Sequence, residues 1–213
     1  MLWGSTLGGL EVRKPSEGRA GTVLRGRFPY NRPAVLSDGG RTGRPRKEKI
    51  APGAFSYRLD LEAGPPENDI HLLVGHSYDR PLASRNAGTL QFTDTPEALL
   101  FDALITPDMQ RVSYVQDVLG AIGAGLILGI SPGFRLPPER AVPNPEKIED
   151  EGSDPAAGMH NAIIRTVLAA LLYEISLVTR PAYPEAQIEE RNWTLTPEPA
   201  DAGLVRTLNR WRA

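Results

Sequence analysis

The sequence predicts a β-rich α+β domain, a barrel or a sandwich. Short apolar stretches alternate with Gly- and Pro-containing turns along most of the chain. Two of them, in "GTLQFTDTPEALLFDALI", are joined by polar turn residues as a hairpin. Within the core of the chain only one segment carries a clear helical spacing of apolar residues.

The elements follow in order. "GTVLRGRFPY" (21–30) reads as short strand-like pieces, and "SDGGRTGRPRKEK" (37–49) as a polar, basic, exposed loop. "NDIHLLVGH" (68–76) follows a Pro-Pro turn and reads as a buried strand. The hairpin has its turn at "DTPEA" (94–98), and an amphipathic helix begins after Pro107, with Met109, Val112, Val115, Leu119 and Ile122 at three- and four-residue steps. "GLILGISPGF" (125–134) reads as a strand. "PNPEKIEDEGSDPAAG" (143–158) is acidic and rich in Pro and Gly, which predicts a mobile loop or disordered insert up to about residue 160. "IIRTVLAALLYEISLVT" (163–179) is apolar enough for helix or strand. Its second half alternates, with Tyr173, Ile175 and Leu177 on one side and Glu174 and Ser176 on the other. The Pro-rich stretch from Thr194 to Gly203 leads to Leu204, Leu208 and Trp211 at helical spacing.

Composition excludes several classes. A formal net charge of -2 gives no bulk attraction to nucleic acid or an anionic membrane. The chain has no cysteine, which rules out thiol catalysis, cysteine metal sites and disulfides. The most apolar run, Val118 to Ile130, falls short of the roughly 20 residues a bilayer requires. The first residues lack a basic region followed by an apolar stretch, so a soluble, intracellular protein is expected. No metal-binding spacing and no phosphate-binding loop occurs, so neither metal nor cofactor is expected.

Three histidines are available for acid–base work: His71, His76 and His160. His160 borders the acidic loop and reads as solvated. His71 and His76 are five residues apart and fall on opposite faces of one strand under a two-residue period. His76, at the strand's end before a loop, is positioned as a general base is, although from these residues alone a structural or surface histidine is the more common reading. A serine nucleophile needs such a base within hydrogen-bond reach and a third group to hold the ring. Ser131, His76 and Glu174 all sit at ends or on polar faces of predicted strands. The bland alternatives are a Ser131 that merely precedes a Pro-Gly turn and a Glu174 that faces solvent. "GISPG" (129–133) also spells the Gly-x-Ser-x-Gly elbow of esterases, but Pro132 and "LPPER" oppose the helix that the elbow requires.

Four blocks in order sharpen this reading. They are "EKIAPGAF" (48–55), "IHLLVGHSYDRPLASRNAGTL" (70–90), "GLILGISPGFR" (125–135) and "LYEISLVTRPAYPEA" (172–186). The series resembles the prohead proteases of tailed bacteriophages over roughly residues 20–190. The resemblance implies a serine endopeptidase with a closed or partly closed β-barrel surrounded by a few helices, similar to the herpesvirus capsid-maturation protease. It implies Ser131 as nucleophile, His76 as general base and Glu174 as the group that orients His76. Two departures from the family pattern stand out. Ser77 follows the histidine where an acidic residue is usual, which leaves Asp79 as a rival orienter. Ile130-Ser131-Pro132-Gly133-Phe134 replaces the common Met-Ser-Phe-Gly-Phe. Pro132 has no N–H to donate to an oxyanion, which brings Arg135 and Arg180 forward as candidates for organising that hole.

The resemblance further implies residues 1–19 as an N-terminal extension, 20–190 as the protease domain and 191–213 as a tail with a short amphipathic helix. Capsid and scaffold proteins would be the substrates, inside assembling procapsids in the host cytoplasm, with a homo-oligomer compatible and no nucleic-acid or membrane partner. The alternative from another class is a non-catalytic capsid assembly or scaffolding protein on the same fold.

Overall fold

The computed structural model describes residues 2–3, 9–13, 21–41, 43–60, 68–127 and 129–179. The chain is strand-rich with few helices. The first half contains β1 (Leu2–Trp3), β2 (Gly9–Arg13), β3 (Thr22–Pro29), β4 (Ala34–Ser37), β5 (Arg46–Ile50), α1 (Ser56–Leu59), β6 (His71–Val74), β7 (Ser77–Ser84), β8 (Leu90–Asp94) and β9 (Ala98–Ile105). After a 3-10 turn at Met109–Arg111 come α2 (Ser113–Gly123), β10 (Gly129–Arg135), β11 (Glu146–Asp150), β12 (Ser153–Asp154), β13 (Met159–His160), β14 (Ile163–Val167) and β15 (Leu171–Val178).

The strands pair as a five-stranded sheet in the order β1-β10-β15-β6-β7, two four-stranded sheets, β11-β14-β5-β4 and β2-β3-β9-β8, and the small ladder β12-β13. The expected barrel is therefore corrected: among the described residues no sheet closes on itself. Instead β14 of one sheet leads into β15 of the next across residues 168–170, and each pairs in parallel with a strand from the first half of the chain, β14 with β5 and β15 with β6. Beyond β5 and β14, Ala51 N–H donates to Val167 O at 2.9 Å and Ala170 N–H to Ala54 O at 2.7 Å, which ties the β14–β15 connection to residues 51–54.

Two other expectations change. Residues 143–160 are not an unstructured insert: β11 pairs antiparallel with β14 along its whole length, and β12 pairs with β13. The acidic residues that signalled disorder are matched by bases instead. Lys47 pairs with Glu151, Arg44 with Asp150, and Arg165 reaches both Glu146 and Glu48. The 37–49 loop is shorter than expected, because Arg46–Ile50 joins β4 and β14. Residues of the N-terminal extension also enter the sheets, β1 against β10 and β2 against β3. The helix after Pro107 and the hairpin turning between Asp94 and Ala98 match the sequence reading. The strand expected over 125–134 is observed over Gly129–Arg135, and 163–179, which the sequence leaves open between helix and strand, forms two strands, Ile163–Val167 and Leu171–Val178. The tail helix lies outside the described residues.

One apolar core joins the sheets, with side chains from β3, β6, β9, α2, β10 and β15 in a single cluster. Phe55, the last residue of the Pro-Gly-Ala-Phe block, sits at its centre. Its ring lies 5.9 Å from Phe28 and 6.0 Å from Phe134, both at steep edge-on angles. Burying such a ring is worth about 1.5–3 kcal/mol, and here it clamps the core face of β10. The opposite face of that strand carries Ser131.

Candidate active site

Along β10 the side chains alternate. Ile130 and Phe134 enter the core, while Ser131 and Gly133 take the other face. Ser131 stands opposite Ser176 and Gly133 opposite Glu174 in the antiparallel pair with β15. Directly opposed residues point the same way, so Ser131, Gly133, Glu174 and Ser176 share one face. The β10–β15 register then shifts, Gly133 facing Glu174 but Phe134 facing Leu172. Tyr173 is thus the extra residue of a β-bulge. The bulge keeps Leu172, Ile175 and Leu177 in the core while Glu174 and Ser176 turn away from it.

The alternation in "YEISL" marks the polar face correctly, but that face is not solvated. Glu174 and Ser176 are both 0% exposed and Ser131 is 4% exposed. A fully buried carboxylate requires partners for both oxygens. Glu174 Oε1 lies 2.7 Å from His76 Nδ1, and Oε2 accepts from Ser176 Oγ at 2.7 Å. Because a carboxylate only accepts, the ring proton belongs on Nδ1, which leaves the basic lone pair of the neutral imidazole on Nε2.

His76 does not continue the strand, as the sequence suggests. β6 ends at Val74, and Gly75 and His76 form a two-residue turn into β7, with φ of 59° and 62°. Positive φ at both central residues is the signature of the type I′ hairpin turn. For a residue with a side chain that conformation costs of order 1–3 kcal/mol, so surrounding contacts must hold it. The contacts are visible: Gly75 N–H donates to Leu177 O at 3.0 Å, and His76 N–H donates to Ser176 Oγ at 2.8 Å. β15 therefore holds the turn by its backbone and its serine together.

Asp79, the rival named from the sequence, lies apart from this contact. It is exposed at the bulged start of β7, and Nδ1 of His76 is engaged by Glu174. Arg135 ends β10 on the Ser131 side of the alternation, its guanidinium 5.6 Å from the centre of the Tyr173 ring. Arg58, from α1, lies 5.0 Å from the same ring. Burial foremost, then the charge of Glu174, pushes the Tyr78 hydroxyl up, and Arg135 and Arg58 oppose this. Glu174, Tyr173, Arg135 and Arg58 thus all lie within electrostatic reach of the Tyr78 hydroxyl. Arg180 lies outside the described residues. The esterase elbow finds no support, since β10 runs on through Ser131 to Arg135 with no helix after the serine.

His71 belongs to a different group. Asp69 Oδ2 accepts from Ser84 Oγ at 2.7 Å and lies 3.4 Å from His71 Nε2. The carboxylate stands between serine and histidine, so the ring is not placed as a base for that hydroxyl. Asp69 also accepts from the N–H groups of Ile70 and Asn86, which makes it the anchor of the 85–88 turn. His160 is exposed, with its N–H on Glu151 Oε2.

Sequence reasoning missed Ser176 and Gly133 as parts of the site. For Ser176 the signal was present, since a two-residue step puts it beside Glu174. For Gly133 only the register across β10 and β15 reveals the requirement.

A fully buried carboxylate in contact with a half-buried imidazole, on the sheet face that Ser131 shares, is a pairing of the kind serine hydrolases use. Residues 31–198 match the caudovirus prohead serine protease family, and the chain belongs to that family. The family's activity is that of a serine peptidase in capsid maturation. No curated protein and no solved structure matches the chain. Among the described residues no helix is long and apolar enough to cross a membrane.

Proposed function

We propose that this chain is the endopeptidase of procapsid maturation, with Ser131 as nucleophile, His76 as general base and Glu174 as the residue that orients it. The observation that carries this reading is the 2.7 Å contact between His76 Nδ1 and the fully buried Glu174 carboxylate, on the face that Ser131 shares. In this mechanism His76 Nε2 takes the Ser131 hydroxyl proton as Oγ attacks a peptide carbonyl. The resulting imidazolium faces a fixed negative charge, and it then delivers the proton to the leaving amine. The oxyanion takes no hydrogen bond from residue 132, because proline lacks the N–H. Arg135 offers guanidinium donors from the same face, and Arg180 is the second candidate.

The substrates in this reading are segments of scaffold and capsid proteins within the assembling shell, and the chain's own Pro-rich tail beyond residue 190. Incubation of parent and Ser131→Ala protein with scaffold-containing shells tests it. Cleavage by the parent alone is expected, and equal cleavage by both overturns the assignment.

A further inference from the structure

We propose that Ser176 is a positioning residue that locks base and acid into one preassembled unit. The inference rests on the proposed roles of His76 and Glu174, and it adds a residue to them. Three hydrogen bonds converge here. The Ser176 hydroxyl accepts the backbone N–H of His76 at 2.8 Å and donates to Glu174 Oε2 at 2.7 Å, and Glu174 Oε1 meets the same histidine's ring at 2.7 Å. The result is a closed ring of contacts through one backbone N–H and three side chains.

Each member alone is poorly fixed. His76 has the left-handed φ of 62°, which a non-glycine residue leaves readily unless it is held. Glu174 has a flexible side chain whose carboxylate could rotate about its last bond. A hydroxyl that accepts from the backbone and donates to the acid couples the two settings. It selects the backbone conformation that aims the imidazole at Oε1 and the carboxylate rotation that presents Oε1 to it. Alanine offers neither bond, and because Glu174 and Ser176 are both 0% exposed, bulk water is not at hand to replace them.

The test uses full-length protein and two readouts: the second-order rate at which a fluorophosphonate probe labels Ser131, and the far-downfield proton resonance of His76 Nδ1–H. Ser176→Ala is expected to slow labelling about 10- to 100-fold, the scale of a small misplacement of a reacting group. It is also expected to shift or erase the resonance. Ser176→Thr, which keeps the hydroxyl, is expected to retain both. In a Glu174→Ala background, Ser176→Ala should slow labelling by less than about twofold, since residues acting as a unit are not additive.

Labelling at the parent rate with an unchanged resonance overturns the proposal. So does an equal slowing in both backgrounds, which would mark a purely structural serine. If the alanine variant does not fold, Ser176→Cys keeps the shape with weaker hydrogen bonds, and it must show the same losses. If the parent is not labelled at all, the protease reading fails, while the resonance still decides the role of Ser176.

Discussion

Glu174 Oε1 lies over Gly133 so closely that a Cβ on residue 133 would stand 2.0 Å from it, with the carboxylate carbon at 2.7 Å and Cγ at 2.9 Å. The two residues are opposed in the β10–β15 pair. A single missing side chain therefore makes room for the carboxylate that holds His76. The glycine in "SPG" thus serves clearance, and its φ is not in the left-handed range.

Gly133→Ala is accordingly expected to push Glu174 off His76. Its carboxylate is buried and bonded at both oxygens, so it has no alternative position that keeps both bonds. Overpacking of this kind costs about 1–3 kcal/mol, read as a drop in thermal midpoint. Peptide cleavage should fall further than stability alone explains, and a variant with parental activity would refute the clearance role.

Glu174→Gln is nearly isosteric but removes the charge and the acceptor-only character of the group. Cleavage is expected to fall on the order of 10²- to 10⁴-fold with little change in KM, the range found when a triad acid loses its charge. Asp79→Asn should stay within about twofold of the parent, because an exposed residue away from Nδ1 makes no transition-state contact. Parallel kinetics on the two variants separates the rivals, and equal losses would return Asp79 to the site.

Asp69 supplies a prediction with a pH signature. Burial alone would raise its pKa. Hydrogen bonds from Ser84 Oγ and the Asn86 N–H, then the charge of His71 and the Ile70 N–H, outweigh it and hold the carboxyl below its ordinary value of 3.8. A depressed acid contributes stability above its unfolded pKa and loses it as pH falls through the lower folded value. Asp69→Asn should therefore be destabilised by about 1–3 kcal/mol at neutral pH. Denaturant midpoints of parent and variant should converge only below 3.8. A gap independent of pH would show that the charge is not what anchors the turn.

Arg165 gives the opposite sign. Its guanidinium holds Glu48, 2.9 Å away and 3% exposed, and it also pairs with Glu146. Burial foremost raises the Glu48 pKa above 4.5, and Arg165 partly offsets the rise. Arg165→Leu leaves a buried, unpaired carboxylate and is expected to cost about 3–5 kcal/mol at neutral pH. A raised acid contributes stability that is present below the unfolded pKa and lost as pH rises through the folded value. The variant should thus recover toward the parent as pH falls to about 4.5, and chemical unfolding across pH reads this directly. A deficit that stays constant or grows on acidification would exclude Glu48 as its source.

The sequence by itself determined those features that depend on local period and local chemistry. Two-residue alternation over 171–178 put Glu174 and Ser176 on one side, helical spacing placed α2, and turn residues placed the β8–β9 hairpin. Four short blocks in order singled out Ser131 and His76 before any contact was visible. What only the tertiary structure decided concerns partners distant in the chain. The acidic composition of 143–160 read as disorder because the bases that neutralise it, Arg44 and Lys47, lie about a hundred residues away. Whether the polar face of β15 served a site or faced solvent stayed open in the sequence, because nothing in its own residues announces the His76 turn that bonds Glu174 and Ser176. The left-handed turn at His76, the bulge at Tyr173 and the need for glycine at 133 arise only where strands from separate parts of the chain meet. A backbone group or a buried charge is satisfied by whatever stands next to it in space, and that neighbour has no fixed distance along the sequence.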